Sequence, residues 1–247
     1  MSGESEFSKN AQGLAGDMAL QTQVLEDLAD APNYQEWLCS MALPHLGEDP
    51  IELGSGTGDY AAYWLQQGQP RLTLTEIDPS RHAILEERFA DDPRVTLGAV
   101  DIHAPQPGHH SAMVSFNVLE HVEDDVAALR SALTVLRPGG RVLHFVPAFP
   151  AAMSDFDREI GHFRRYRVRE MRRKAEAAGL VVEDVRYVNA PGLIAWFVMM
   201  RLLRRRPSPG PMLAFWDGVV IRLERRIERR TRVPFGQSVL LVARTPA

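Results

Sequence analysis

Strand-like and helical patterns alternate along this 247-residue chain. Short apolar runs alternate with segments in which apolar residues recur every three or four positions, the spacing of an amphipathic helix. The strand-like runs lie at 51–53, 71–77, 94–100, 111–118, 141–146, 180–188 and 238–245. This alternation predicts an α/β fold, in which a parallel sheet is doubly wound with helices on both faces and binds its ligand at the carboxyl ends of the strands.

Two regions lie outside this alternation. Residues 1–30 are polar and are expected to be a mobile or loosely packed lead-in. A single domain is predicted over 31–247, starting with an amphipathic helix at 33–43. An insertion at about 190–234 precedes the last strand, and its two helical stretches are separated by the sequence RRPSPGP.

Charge is distributed unevenly. Residues 201–232 contain ten arginines against Asp217, Glu224 and Glu228, a balance of +7 that leaves −11 for the rest, since the total is −4. The single cysteine, Cys39, excludes an internal disulfide and a cysteine-based metal site, so a reducing cytoplasm is expected. We see no signal peptide at the N-terminus, and the most apolar run, 193–200, is too short to span a membrane.

A glycine loop follows the first strand. Glu52, Gly54, Gly56 and Gly58 form an acid-x-G-x-G-x-G pattern, which differs from the G-x-G-x-x-G of nicotinamide and flavin binders. Glycines allow the backbone to approach a ligand closely, and the helix that follows offers free N–H groups. A dehydrogenase is therefore disfavoured.

Several motifs in order resemble one family. The segments ELGSGTG, NVLEHVED and LRPGG, with Glu76 after the second strand and Asp101 after the third, are similar to the class I S-adenosylmethionine-dependent methyltransferases. The resemblance implies a mostly parallel, seven-stranded, Rossmann-like sheet with the last strand antiparallel. It also implies S-adenosylmethionine as cofactor.

The resemblance implies a role for each of these positions. The loop glycines would pass beneath the methionine and ribose parts of the cofactor, and Glu52 would orient the loop. Glu76 would accept hydrogen bonds from both ribose hydroxyls. Asp101 would accept from the adenine amino group beside Ile102, and the backbone of Asn117 would lie near the methionine end. Asp101 also reads as a turn former before HAPQPG.

Two histidines are candidates for accepting a proton from the methyl acceptor. His121 follows the fourth strand, and His162 follows the fifth, in the sequence DREIGHFRRYR. A histidine near its ordinary pKa is a common general base. His121 is equally well explained as a residue at a helix start that bonds the loop backbone. No metal ligands are assigned.

The residues around His162 are candidates for binding the acceptor. Asp157, Arg164, Arg165 and Tyr166 could bind a carboxylate, a phosphate or a phenol. The arginines are alternatively a solvated helix face. Tyr34, in the first amphipathic helix, is a further candidate at the acceptor site.

The insertion contains a basic amphipathic helix, with apolar residues at helical spacing and arginines elsewhere around it. The apolar positions are Met212, Trp216, Val219, Val220, Leu223 and Ile227. The interpretation that we rank first is that these residues cap the sheet, cover the acceptor pocket or contact a second subunit. The alternative is peripheral contact of 193–232 with an anionic membrane. Nucleic acid ranks third, because the fourth strand ends in NVLE and there is no Pro-Cys pair.

These patterns favour a methyltransferase that acts on oxygen or nitrogen of a small molecule, with an amphiphilic one as a candidate. Two alternatives stay open at this point. One is a methyltransferase-like binding module without turnover. The other is a methyltransferase that acts on lipid or RNA.

Overall fold

The computed structural model describes residues 16–17, 19–23, 30–101, 105–202 and 210–247, and the side chains of all of these except 201 and 202. Each strand predicted from the sequence is present within these ranges. The strands are Pro50–Leu53 (β1), Leu72–Thr75 (β2), Val95–Gly98 (β3), His110–Phe116 (β4), Leu136–Pro147 (β5), Val181–Val188 (β6) and Ser238–Arg244 (β7).

The strands form one seven-stranded sheet in the order β3-β2-β1-β4-β5-β7-β6. The pairs from β3 to β5 are parallel, and β7 lies antiparallel between β5 and β6. Glu52 is therefore in register with Leu74 on one side and with Val114 on the other. The predicted mostly parallel sheet with an antiparallel last strand is confirmed.

Helices cover both faces of the sheet. One buried cluster includes Met113, Leu129 and Met171, and the other includes Trp64, Leu85 and Phe145. The helices are Pro32–Ala42 (α1), Asp59–Gln66 (α2), Pro79–Arg88 (α3), Asp125–Val135 (α4), Asp155–Glu159 (α5), Val168–Ala177 (α6), Ala190–Trp196 (α7), Pro211–Phe215 (α8) and Arg222–Glu228 (α9).

Local sequence signals set several helix starts. The carboxylate of Asp78 accepts hydrogen bonds from the backbone N–H groups of Ser80 and Arg81, and Pro79 fills the first position of α3. Ser154 and Asp157 form a capping box at α5, which fixes the approach to the predicted acceptor segment. Both capped turns lie at the carboxyl end of the sheet.

The insertion is helical on both sides of residues 203–209, which lie outside the described residues. Helix α7 continues as a π-helix, Phe197–Leu202. Helices α8 and α9 are joined without a break by a second π-helix, Trp216–Ile221, so that 211–228 form one helix, here named the insertion helix. No described helix has the length and apolarity needed to cross a membrane.

The described part of the N-terminal lead-in contacts the domain. Asp17 donates its backbone N–H to the carbonyl of Glu159 at 2.9 Å, and Gln21 Nε2 donates to the carbonyl of Ile160 at 2.8 Å. The described residues 16–17 and 19–23 of the lead-in are exposed or half-buried, and these two hydrogen bonds connect them to the end of α5 and the residue that follows it. The rest of 1–30, apart from Asp30, lies outside the described residues.

Candidate active site

A cavity of about 1090 Å³ opens at the carboxyl ends of β1, β2, β4 and β5. It lies where the strand order reverses, between β1 and β4, the place at which doubly wound sheets bind ligands. Its lining is mainly apolar. The glycine loop lies at one end, and the two predicted histidines and the insertion line the other.

The glycine loop lines the cavity through Gly54 and Gly56, which have φ angles of 64° and 58°. A Cβ on Gly54 would lie 2.6 Å from a methyl group of Val118, so only glycine fits beside the end of β4. Gly58 has a different role from the predicted one. It precedes α2 and packs against Phe89, away from the cavity lining.

Glu52 lies behind the loop and does not line the cavity, so it is placed to orient the loop and not to contact the cofactor itself. Its backbone carbonyl accepts hydrogen bonds from Thr75 Oγ1 at 2.8 Å and Ser55 Oγ at 3.5 Å, which ties the loop to β2. The side chain is buried, and burial raises its pKa to about 8. The backbone of Glu52, more than its carboxyl group, positions the loop.

Glu76 lines the cavity at the end of β2. Its Oε1 accepts from the backbone N–H groups of Ile77 and Asp78 and from Arg81 Nη2, at 2.9, 2.9 and 3.1 Å. Among the described residues, its Oε2 accepts from the N–H of Gly56 alone, at 2.9 Å. Because a carboxylate offers about four acceptor positions, the remaining capacity lies mainly on Oε2. The sequence predicted that Glu76 accepts hydrogen bonds from both ribose hydroxyls. With Arg81 bonded to Oε1, Oε2 is the oxygen that has capacity for a ribose hydroxyl.

Asp101 and Asn117 also line the cavity, at the ends of β3 and β4. Asn117 has a φ of 52°, a left-handed conformation that asparagine tolerates better than most residues, and its N–H donates to the carbonyl of Phe145 at 2.8 Å. Ile102, the predicted neighbour of the adenine, lies outside the described residues.

The two predicted histidines form one pair. The ring centroids of His121 and His162 are 4.6 Å apart, with the rings nearly perpendicular. The backbone N–H of Phe163 donates to the carbonyl of Glu120 at 2.8 Å, which holds the two segments together. Burial lowers the pKa of His121 to about 3, so this imidazole is neutral at pH 7.

Asp157 orients His162. Its Oδ1 accepts from His162 Nδ1 at 3.0 Å and from Arg165 Nη2 at 2.7 Å. Burial opposes ionisation of Asp157, but the hydrogen bond from His162 and the charge of Arg165 outweigh it and hold the pKa below its usual range. The guanidinium of Arg165 also lies over the ring of Trp196, 4.6 Å from its centroid. Asp157, His162 and Arg165 all line the cavity.

Comparison with known proteins identifies the family. Residues 51–142, which contain the glycine loop, Glu76, Asp101 and the turn with His121, match the family model described as "Methyltransferase domain". This match to the central region of the chain supports a class I S-adenosylmethionine-dependent methyltransferase. S-adenosylmethionine is the cofactor of this family.

Relatives of this methyltransferase share its central region. The Vibrio campbellii protein named ubiquinone/menaquinone biosynthesis C-methyltransferase UbiE is 29% identical over 139 residues, which are 51% of this chain and 52% of UbiE. The chain thus spans about half the length of the UbiE relatives that it matches.

Solved structures share the fold of this methyltransferase. Geranyl diphosphate methyltransferase in complex with S-adenosylmethionine superposes with a TM-score of 0.62 and 18% identity, over 93% of this chain and 91% of that chain. An S-adenosylmethionine-dependent methyltransferase from Mesorhizobium loti superposes with a TM-score of 0.57 and 16% identity, over 85% and 97% of the two chains.

Two predicted acceptor residues of the methyltransferase do not line the cavity. Tyr166 is fully buried, and its hydroxyl donates to Asp125 Oδ2 at 2.9 Å. Arg164 pairs with the same carboxylate at 2.8 Å. The segment is extended and Tyr166 bridges to Ala148, so alternate side chains point to opposite sides. Arg165 faces the cavity, whereas Arg164 and Tyr166 join this segment to α4, and their assignment to substrate binding is wrong.

The acceptor end is lined by residues that the sequence singled out and by others that it did not. Tyr34 lines it as predicted, with its hydroxyl near Asn189 and Ser238. The insertion adds a mainly apolar set to the lining: Ala195, Trp196, Met199, Met200, Met212, Leu213, Trp216 and Ile221. The run LIAWFVMM was the available sequence signal for part of this set.

The insertion helix is docked through polar contacts as well as through part of its predicted apolar stripe. Asp217 accepts from the backbone N–H groups of Asn33 and Tyr34, and Glu224 accepts from the N–H of Ala190. Trp216 and Ile221 lie on the same side. In contrast, several of the apolar positions predicted from the sequence point to solvent, namely Met212, Val219, Leu223 and Ile227.

Proposed function

We propose that this protein methylates a small, largely apolar or amphiphilic molecule held beneath the insertion. The observation that carries the proposal is one continuous cavity, which joins the glycine loop and Glu76 to the pair of His121 and His162. A cavity with this connection can hold a cofactor and an acceptor next to each other. Its apolar lining on the insertion side favours an acceptor with substantial apolar surface.

The glycine-loop end fits the cofactor. Gly54 and Gly56 line the cavity without side chains, so the loop backbone can approach a ligand closely, and Glu76 and Asp101 supply acceptor oxygens for hydroxyl and amino groups. Oε2 of Glu76 would accept from a ribose hydroxyl and Asp101 from the adenine amino group. When bound, S-adenosylmethionine supplies a methyl group on a positively charged sulfur. An acceptor lone pair would attack the methyl carbon in line with the carbon–sulfur bond, and the sulfur would leave as a neutral thioether.

The histidine end would position the acceptor and take up its proton. His162 Nδ1 donates to Asp157, which leaves Nε2 as the ring atom that can accept a proton from the acceptor. His121, with a pKa of about 3, is a weaker base and serves as a hydrogen-bond partner. Arg165 is already paired with Asp157, so it contributes less to binding an anion than the sequence suggested.

Oxygen or nitrogen is the first candidate for the atom that receives the methyl group, because a nearby histidine is most useful when the acceptor loses a proton. Carbon is the second candidate. It is favoured by the UbiE relatives, whose name describes a C-methyltransferase.

The decisive experiment uses methyl-labelled S-adenosylmethionine and a host extract divided into soluble metabolites, membrane lipids and RNA. Label in a small apolar or amphiphilic product supports the proposal, and mass spectrometry of the product distinguishes oxygen, nitrogen and carbon. Label confined to RNA would contradict it. Cofactor binding by calorimetry without transfer to any fraction would instead support a binding module without turnover. The variant Glu76→Ala is the background control.

We also infer that the exposed face of the insertion helix contacts an anionic membrane surface, where an amphiphilic acceptor would be met. Met212 is exposed and also lines the cavity, so the cavity opens beside this face. The exposed apolar side chains of the face are flanked by exposed arginines, a combination that favours anionic lipid. The apolar residues are Met212, Phe215, Val219, Leu223 and Ile227, and the arginines are Arg226, Arg229 and Arg230.

Co-sedimentation with vesicles tests this contact. We expect binding to phosphatidylglycerol vesicles, little binding to phosphatidylcholine vesicles, and loss of binding in Leu223→Glu. The matched control is Ile84→Glu, which changes a similarly apolar, exposed position on α3. A dimer that Leu223→Glu dissociates, with no vesicle binding by the wild type, would show that a second copy occupies the face and would overturn the membrane contact.

A further inference from the structure

Glu120 is buried without a partner next to the histidine pair. Its exposed fraction is 0%, and neither carboxylate oxygen has a hydrogen-bond partner within the part of the chain that the structure describes. A buried charged group without a partner is strongly destabilising, so such groups are normally paired or coordinate metal ions. The nearest described basic atom is His162 Nε2, 3.8 Å from Glu120 Oε1 and too far for a hydrogen bond.

Glu120, His121 and His162 converge on one point. Each offers a ligand atom, and these atoms all lie within 4.8 Å of one another. A tetrahedral ion with bonds of about 2.1 Å has ligand atoms about 3.4 Å apart, so the widest of these separations would have to shorten by up to about 1.4 Å to complete the site. Nδ1 of His121 is also buried without a hydrogen-bond partner among the described residues.

Asp157 supplies the supporting contact that metal-binding histidines usually have. Its carboxylate accepts from Nδ1 of His162, which fixes the ring and leaves Nε2 free to coordinate. Arg165 pairs with Asp157, so their charges compensate and Glu120 contributes the net negative charge at the ion.

We propose that Glu120, His121 and His162 bind a divalent transition-metal ion at the acceptor end of the cavity. Two imidazoles and one carboxylate suit Zn²⁺, Fe²⁺ or Mn²⁺, and three protein ligands leave coordination positions for an acceptor atom. This inference rests on the proposed function for its link to catalysis. With the ion bound, His162 Nε2 is a ligand and no longer the base. An acceptor hydroxyl at the ion then loses its proton to water, and its oxygen forms the bond to carbon as the bond from carbon to sulfur breaks.

Metal binding is measured first without any acceptor. Untagged protein is freed of metal with a chelator and titrated with Zn²⁺ by calorimetry and with Co²⁺ by visible absorption. We expect one ion per chain, and at least tenfold weaker binding in Glu120→Gln and in His162→Ala. Asp157→Asn is a positioning variant, and its affinity should fall by about 10- to 100-fold, as for other supporting residues. The control variant is His110→Gln, because His110 lies beside Asp49 and outside the cluster. We expect it to bind Zn²⁺ and Co²⁺ as the wild type does.

Folding is monitored separately, by circular dichroism and by the rise in unfolding temperature that Zn²⁺ gives the wild type. Should a cluster variant fail to fold, His121→Gln provides a further test of the same site. The metal site would be overturned if the wild type bound no ion. It would also be overturned if all cluster variants bound Zn²⁺ and Co²⁺ as tightly as the wild type does. Binding of S-adenosylhomocysteine to the metal-free protein tests the cofactor site independently, so that failure of the two proposals is distinguishable.

Discussion

Nδ1 of His162 lies 3.0 Å from Oδ1 of Asp157, and this contact sets the direction of the imidazole at the acceptor end of the cavity. Asp157 is fully buried and also accepts from Arg165 and from both the backbone and hydroxyl of Ser154. One carboxylate therefore connects the start of α5, the histidine and the arginine that lies over Trp196. Either use of His162, as a base or as a metal ligand, depends on this contact.

Replacing this carboxylate should destabilise the protein in a pH-dependent way. Asp157→Asn leaves the buried guanidinium of Arg165 without a charged partner, so we expect the free energy of unfolding at pH 7 to fall by about 3 kcal/mol. The folded-state pKa of Asp157 lies below its ordinary value of 3.8. Its contribution is thus present above pH 3.8 and is lost as the pH falls further.

Urea unfolding of the wild type and Asp157→Asn at pH 7, 4 and 3 measures this effect. The difference between the two proteins should narrow below pH 4. Asp155→Asn, on the same short helix but with an exposed side chain, is the matched control and should change stability little. A constant difference across this pH range would show that the carboxylate contributes through packing alone.

Glu76 is expected to contribute strongly to cofactor affinity. Glu76→Gln removes the negative charge that faces the cavity and places an amide N–H₂ group among donors. Loss of charge-assisted hydrogen bonds worth about 1.5 to 3 kcal/mol weakens binding by about 10- to 150-fold. Calorimetric titration with S-adenosylhomocysteine measures the dissociation constant. Glu86→Gln, on the exposed side of α3, should match the wild type, and an unchanged constant in Glu76→Gln would place the ribose elsewhere.

Tyr166 should matter for stability and not for the acceptor. Tyr166→Phe removes a buried hydroxyl that donates to Asp125, while Lys174 and Arg164 still pair with that carboxylate. We expect a loss of about 1 to 2 kcal/mol in urea unfolding, with turnover unchanged. A variant of normal stability with impaired turnover would restore Tyr166 to the acceptor site.

The sequence was sufficient for the sheet and for the cofactor end of the cavity. Strand and helix patterns are local, and parallel strands bring their carboxyl ends to one edge, so Gly54, Glu76, Asp101 and Asn117 were expected to lie together. The cap formed by Asp78 was also predictable, because an N-cap depends on adjacent residues.

The acceptor end depends on contacts that no local pattern contains. Arg165 and Tyr166 are neighbours in sequence, but the extended backbone directs one to the cavity and the other to the core. The orientation of the insertion helix is set by Asp217 bonding to α1, which is distant in sequence. Glu120 was overlooked because burial without a partner is a property of the folded chain.

Glu52 should make the stability of the protein fall as the pH rises. Burial raises its pKa from 4.5 to about 8, so the folded state retains a proton that the unfolded chain releases. The stability linked to this proton is fully present below pH 4.5 and is lost as the pH rises toward 8.

Glu52→Gln imitates the protonated group at all pH values. Urea unfolding should therefore give similar stability for both proteins near pH 4.5 and a more stable variant at pH 8. The exposed Glu48, four residues earlier, provides the control Glu48→Gln. If Glu52→Gln is no more stable than the wild type at pH 8, the carboxyl group is ionised in the folded protein and the expected pH dependence is wrong.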